Sequence, residues 1–295
     1  MWQLCCIKRQ TTVIALRPPL RDSYLARMSY YKGKTIWITG ASAGIGEALA
    51  LALAKKGASL ILSSRKKAGL DKVASACKTK GAPKVDVLPL DLAEHALLDT
   101  LITENQALLA QVDMLINNGG ISQRSQVTET DFAVYKKLMD VNYLGTVKLS
   151  LGVLPFFKQK NSGHYVSISS MAGKFGVPGR SGYSASKMAL HGFFDALRAE
   201  LRTTGIKVTL ICPGYIKTDI SLNALTSDGS PQGTLDAAQR NGMDVATMVD
   251  KTLNAIARGR EEVHIGGFKE VKMAGFVARV FPATFRKIIA KAKTT

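Results

Sequence analysis

Seven short apolar runs alternate with six longer stretches of helical periodicity. This predicts an α/β fold: a single doubly wound domain with a seven-stranded parallel sheet flanked by helices. Two further observations agree with it. The runs are apolar almost throughout rather than alternating, as strands covered on both faces should be. A chain of 295 residues with 46% apolar and 21% charged side chains can also build one large core without staples.

The first unit reads as strand, glycine turn and helix. KTIWIT begins at Lys34, and a helix follows from about Ile45 to Lys56 with Leu49, Leu53 and Ala54 on one face. ASLILSS then gives a strand, 66–80 a helix, KVDVLPL a strand, 95–110 a helix and VDMLINN a strand. One long helix is expected over 131–158, followed by the strand HYVSISS, a helix over 183–203, the strand IKVTLIC, a helix over 244–258 and the strand EEVHIG. The stretch 219–243, rich in Ser, Thr, Asn and Gly, reads as a long loop with a short helix, and such insertions are commonly lids or binding loops. These elements give a domain at 28–267, a leader at 1–27 expected to be disordered, an Arg-rich organelle transit peptide or an upstream extension before a start at Met28, and a basic amphipathic tail at 268–295.

The net charge of +18 is concentrated at the ends. Residues 1–27 hold Lys8, Arg9, Arg17, Arg21 and Arg27 against Asp22, and residues 268–295 hold seven basic groups against Glu270. The middle is only mildly basic and carries no signature of a nucleic-acid module, so no nucleic-acid partner is expected. No run of eighteen apolar residues exists, which excludes a spanning helix by length. Cys5, Cys6, Cys77 and Cys212 contain no C-x-x-C, so neither a disulfide framework nor a zinc spacing is written here, and a reducing, cytoplasmic location is expected. His95, His164, His191 and His264 are scattered, and no metal site is expected.

The turn Thr39-Gly40-Ala41-Ser42-Ala43-Gly44-Ile45-Gly46 lies between a buried strand and a helix, the context in which glycines let backbone N–H groups approach a pyrophosphate. About twenty positions on, where an NAD site places a carboxylate for the ribose hydroxyl, the chain reads Ser63-Ser64-Arg65-Lys66-Lys67. A guanidinium there can pair with a 2′-phosphate, so NADP(H) is the expected cofactor. Tyr183 and Lys187 are four apart and share a helix face, where a cation can stabilise a phenolate. Ser170 closes the strand HYVSISS, at the carboxyl end that faces the cofactor crevice of such a Rossmann-type sheet.

Together these residues resemble the short-chain dehydrogenase/reductase family over about Gly33 to Gly266. The motifs run in the family's order: TGASAGIG, Asp91, Asn117-Asn118-Gly119-Gly120, Asn142, Ser170, Tyr183 with Lys187, and Pro213-Gly214 followed by Thr218. The resemblance implies a tetrad. Tyr183 is the general acid for ketone reduction, Lys187 lowers its pKa and holds the nicotinamide ribose, Ser170 polarises the carbonyl and Asn142 orders a relay water. It also implies cofactor contacts at Thr39, Gly40, Ser42, Gly44, Ile45, Gly46, Ser64, Arg65, Asp91, Leu92, Asn118, Gly119, Tyr183, Lys187, Pro213, Gly214, Ile216 and Thr218, with Asp91 at adenine, Asn117 lining the cleft, and Ile216 and Thr218 at the carboxamide. Gly120 departs from the usual Ala, which should slightly loosen packing under the cofactor.

FFDALRAEL, PGYIKTDISLNALTSDGS and the basic tail resemble the membrane-associated branch that contains SDR family member 7B. The substrate side, roughly 122–127, 171–179 and 219–243, shows no charged clamp, so a neutral, fairly hydrophobic, lipid- or steroid-like ketone or alcohol is expected. A ketoacyl thioester reductase and a non-catalytic NADP-bound sensor or scaffold are the rivals. A homo-oligomer is implied by the family, with Phe193-Phe194 suiting core or dimer contact equally. In the tail, apolar groups at three- and four-residue spacing are interleaved with Lys272, Arg279, Arg286, Lys287 and Lys291 and broken by Pro282, the pattern of a helix lying on an anionic membrane surface. The alternative is that the same face packs on the domain or on a second subunit.

Overall fold

The computed structural model describes residues 29–292, so the expectations for the leader lie outside it. Seven parallel strands form one sheet in the order β3-β2-β1-β4-β5-β6-β7. They are β1 (Thr35–Thr39), β2 (Ser59–Ser63), β3 (Val85–Val87), β4 (Met114–Asn117), β5 (Gly163–Ile168), β6 (Ile206–Pro213) and β7 (Glu262–Ile265). Helices α1 (Gly44–Ala54), α2 (Lys67–Thr79), α3 (His95–Glu104), α4 (Gln106–Leu109), α5 (Phe132–Met139), α6 (Gly145–Lys160), α7 (Ser181–Glu200), α8 (Ala237–Arg240) and α9 (Val245–Ala257) supply the crossovers. Strand order reverses between β1 and β4, and in such sheets ligands bind in the crevice beyond the carboxyl ends at that point.

Successive strand residues point to opposite faces, so each strand feeds two cores. Ile36, Ile38, Leu60 and Leu62 pack with Leu49, Leu53, Val249 and Leu253 on one face. Trp37, Ile61 and Leu115 pack with Leu149, Val153, Phe157 and Phe194 on the other. Both sets are almost wholly removed from water, which explains the unbroken apolar runs. Phe194 therefore belongs to the core, and the half-buried Phe193 meets it edge-on.

Three elements differ from expectation. KVDVLPL yields a strand only over Val85–Val87, since Pro89 has no N–H to offer a ladder. The expected helix over 95–110 breaks at Asn105, whose side-chain amide donates to the Leu101 carbonyl. The long helix over 131–158 is two helices joined by a wide π-helical turn, Asp140–Leu144.

Beyond β7 the chain makes a second wide turn (Phe268–Met273) and two short helices, α10 (Ala274–Val280) and α11 (Pro282–Ile289). Pro282 opens α11, where its missing N–H costs nothing. Phe285 is buried with its ring 4.6 Å from that of Phe175, so α11 lies back against the domain. No helix among the described residues is long and apolar enough to cross a membrane.

Candidate active site

A cavity of about 770 Å³ opens beyond the carboxyl ends of the strands. One end is lined by the glycine turn: Gly40, Ser42, Ala43, Gly44 and Ile45. Gly40 and Gly44 have φ of 63° and 59°, a region side chains rarely adopt. A Cβ on Gly46 would lie 2.1 Å from the Gly40 carbonyl oxygen, so this position must stay bare for the turn to close onto the helix. The first N–H groups of α1 have no side-chain cap, since Ala43 precedes them, and they are available to an anion. Arg65 and Lys66 reach the same end, and beside them the buried Ser64 hydroxyl has no hydrogen-bond partner among the described residues. This donor set fits a phosphorylated dinucleotide.

At the other end Ser170, Tyr183 and Lys187 line the wall together. Ser170 leaves β5, and its Oγ accepts from the Ala172 N–H at 3.1 Å, which turns the hydroxyl over the following 3-10 turn. Tyr183 and Lys187 lie in the first two turns of α7. Burial raises the Tyr183 phenol above its ordinary range, while a hydrogen bond with Ser170 and the charges of Arg180 and Arg124 pull it back. Burial also pushes the Lys187 ammonium down to about 8, and this ammonium donates to the Ile168 carbonyl at 2.9 Å.

Asn118, Gly119, Pro213, Gly214, Ile216 and Thr218 line the cavity. Thr39, Gly46, Leu92, Asn117 and Asn142 instead form the layer behind it, while Ser64 and Asp91 lie off its described lining. Thr39 Oγ1 accepts from the N–H groups of Asn118 and Gly119 at 3.0 and 2.9 Å, bracing the loop after β4. Asn142 sits in the wide turn and is fully buried. Its amide bonds both the N–H and the carbonyl of Ile121, and it donates to Ser186. A methyl at Gly120 would stand 3.0 Å from Asn142 Oδ1 and 3.3 Å from Lys187 Nζ, so the glycine leaves room between those two groups.

Two residues of the lining, and the carboxylate that pairs with them, have no signal at strand ends or in helix faces. Arg124 and Arg180 both face the cavity, which corrects the expectation of a substrate side without charge. Asp236, carried by the loop before α8, binds both. Loops at 124, 180 and 236 converge only in three dimensions. The tail supplies a further wall through Ala274, Phe285, Ile288 and Ile289.

The histidines are also less scattered than their numbering suggests. His191, Cys212 and Glu262 place ligand-type atoms within 4.8 Å of one another, and His264 Nε2 donates to the same carboxylate at 2.7 Å. Lys174 Nζ donates to Glu262 at 2.9 Å, so a cation is already built into the cluster. It stands behind the wall that carries Ser170, and burial raises the Cys212 thiol to about 12, leaving it inert.

Residues 34–228 match the family described as short chain dehydrogenase. The chain is 40% identical over 262 residues to the Drosophila melanogaster protein named Dehydrogenase/reductase SDR family protein 7-like, covering 88% of this chain and 80% of that one. It is 36% identical over 265 residues to mouse Dehydrogenase/reductase SDR family member 7B, covering 89% and 82%. Among solved structures, a short-chain dehydrogenase from Sphingobium yanoikuyae in complex with NADPH superposes with a TM-score of 0.70 at 26% identity, covering 89% of this chain and 97% of that one.

Proposed function

This chain belongs to the short-chain dehydrogenase family, and on that premise we propose that it is an NADP(H)-dependent oxidoreductase acting on a fairly hydrophobic ketone or alcohol, with Tyr183 as general acid and base. The observation that carries the reading is the convergence of Tyr183, Ser170 and Lys187 on one wall of a cavity whose far end is the glycine turn. The nicotinamide cofactor, when bound, supplies or accepts the hydride.

The rest falls to side chains. Ser170 and Tyr183 share a hydrogen bond, so a carbonyl oxygen placed between them receives two O–H donors, and the phenol yields its proton as charge develops on that oxygen. Arg180 and Arg124 favour the phenolate that is left. Lys187, buried and held at the Ile168 carbonyl, positions the ribose and returns the proton. Asn142 acts through Ile121 and Ser186, fixing the loop and the helix between which a relay water would lie. Arg65 and Lys66, with no carboxylate at the end of β2, favour the 2′-phosphate of NADP(H).

The test is a panel of ketones and alcohols, including long-chain, steroid-like and ketoacyl thioester compounds, followed by NADPH absorbance with the wild type and Tyr183→Phe. Loss of general acid catalysis typically costs 10²- to 10⁴-fold. Variant activity above a tenth of wild type overturns the assignment, and no turnover of any compound favours the sensor reading.

Two associations belong to the same proposal. Phe276, Val280, Phe281 and Ile288 are about half exposed or more on α10 and α11, among Arg279, Arg286 and Lys287, which supports contact with an anionic membrane surface while Phe285 faces inward. Leu144, Leu151 and Met188 are exposed along the wide turn, α6 and α7, which supports a homo-oligomer.

A further inference from the structure

Tyr183, Lys187 and His191 follow one another at four-residue steps along α7 and so share one stripe of the helix. The first two have a place in the reaction, and the third, though buried, has none so far. His191 Nε2 stands 3.0 Å from the hydroxyl of Ser169, the buried residue immediately before Ser170. That hydroxyl also lies 3.2 Å from the Lys187 carbonyl, while the Lys187 ammonium donates to the Ile168 carbonyl at 2.9 Å. The end of β5 and Lys187 thus clasp each other in both directions, each giving a side chain to the other's backbone. A methyl on Gly173 would stand 2.7 Å from Ser169 Oγ and 2.9 Å from the Lys187 carbonyl oxygen, so the turn after Ser170 closes over this clasp and leaves no room there for a water.

A serine hydroxyl has one hydrogen, so Ser169 can complete the clasp or donate to His191, but not both. The far side of the ring decides which. His191 Nδ1 faces Lys174 Nζ at 3.4 Å and Glu262 Oε2 at 3.5 Å. Both oxygens of Glu262 are already engaged, Oε2 by Lys174 at 2.9 Å and Oε1 by His264 at 2.7 Å. An ammonium only donates, so a Nδ1 that faces Lys174 keeps its lone pair, and the proton of the neutral ring goes to Nε2. Nε2–H then donates to Ser169, whose own hydrogen is left for the Lys187 carbonyl. Cys212 Sγ, 3.8 Å from Nε2, is held neutral by burial and adds no charge.

We propose that His191 is a positioning residue: as the Nε2–H tautomer, selected by Lys174, it locks Ser169 onto the Lys187 carbonyl and so fixes Ser170 against Lys187 and Tyr183. This rests on the reading that those three residues work on a carbonyl. Lys174 directly follows the 3-10 turn over which the Ser170 hydroxyl is bent, so the selector and the group it serves share one short stretch. The competing account is that the cluster only ties β7 to the domain.

The experiment reads the ring first. Imidazole nitrogen–proton correlation spectra of the full chain, carrying isotope-labelled histidine, are taken at about pH 8, where a free imidazole is neutral, and His191 is assigned by its loss in His191→Gln. The proton should sit on Nε2 in the wild type, on Nδ1 in Lys174→Met, where Glu262 becomes the stronger partner, and on Nε2 again in Lys174→Arg, which keeps a donor. The second reading is turnover of the best compound from the ketone panel. Lys174→Met and Ser169→Ala should each lower kcat about three- to tenfold, the scale of one hydrogen bond, with KM unchanged within about twofold, and the double variant should fall no further than either alone. If Lys174→Met does not fold, the wild-type spectrum and Ser169→Ala still decide. A wild-type ring protonated on Nδ1, a ring that keeps its tautomer in Lys174→Met, full activity in Ser169→Ala, or additive losses in the double variant overturns the inference. Because the spectra are read without turnover, a ring that switches as stated in a protein that reduces no compound refutes the dehydrogenase reading instead.

Discussion

Replacing Lys187 by Met should make the cofactor-free protein more stable while removing its activity. The ammonium is buried, and its pKa falls from the ordinary 10.5 to about 8, chiefly by desolvation. At about 1.4 kcal/mol per decade, that gap amounts to about 3 kcal/mol of penalty carried by the folded state wherever the lysine is charged. Met fills a similar volume without the charge. Against this stands the hydrogen bond to the Ile168 carbonyl, whose loss costs about 1–2 kcal/mol. The variant should therefore gain about 1–2 kcal/mol at pH 7.5.

The sign also depends on pH. A lysine depressed in the folded state leaves the native protein with fewer protons than the unfolded chain between about pH 8 and 10.5, so wild-type stability rises across that window. The variant has no such rise, and its advantage, complete below pH 8, should shrink by about 2 kcal/mol by pH 9.5. Urea unfolding at the two pH values measures both. A variant less stable than wild type at pH 7.5, or a gap that ignores pH, would refute the account of a desolvated ammonium.

Other perturbations follow from the same geometry. Arg65→Asp replaces a charge-assisted bond by repulsion and should lower NADP(H) affinity about 10- to 100-fold relative to NAD(H), read by fluorescence titration; wild type that binds both cofactors equally would show that the basic cluster has another purpose. Gly46→Ala forces a methyl against the Gly40 carbonyl and should cost about 1–3 kcal/mol or more with loss of cofactor binding, whereas Gly192→Ala, in the middle of α7 with nothing within 4 Å, should gain about 0.5–1 kcal/mol. Comparable melting temperatures for the two would remove the steric argument. Phe276→Glu with Phe281→Glu, at positions 60% and 54% exposed, should abolish co-sedimentation with anionic vesicles at low salt, and failure of wild type to sediment at all would reject membrane contact.

What could be read from sequence was whatever is written in one short stretch. The glycine turn, Arg65 at the end of β2, the unbroken apolar strands and the Tyr183–Lys187 spacing each carry their meaning within a few residues. What could not be read arises from distant segments meeting. Arg124, Arg180 and Asp236 come from separate loops, and nothing local to Arg180 separates a cavity guanidinium from a solvated one. The same holds for His191 and His264, which meet at Glu262. The tail's spacing shows an amphipathic pair broken at Pro282, but that pattern does not reveal that Phe285 turns toward Phe175 while Phe276 and Phe281 do not.

The wide turn at Asp140–Leu144 gives one stretch of chain two orientations. Leu138 and Leu149 are eleven residues apart, and in an unbroken α-helix eleven steps of 100° return to within about 20° of the start. The two leucines would then face the same neighbour. They do not: Val134 and Leu138 pack with Ala172, Tyr183 and Leu225 beneath the cavity, while Leu149, Val153 and Phe157 pack on the sheet. One extra residue in an underwound, π-helical turn acts as a phase shift, letting a single run of sequence hold the floor under Tyr183 with its first half and the central core with its second, with Asn142 at the pivot between them.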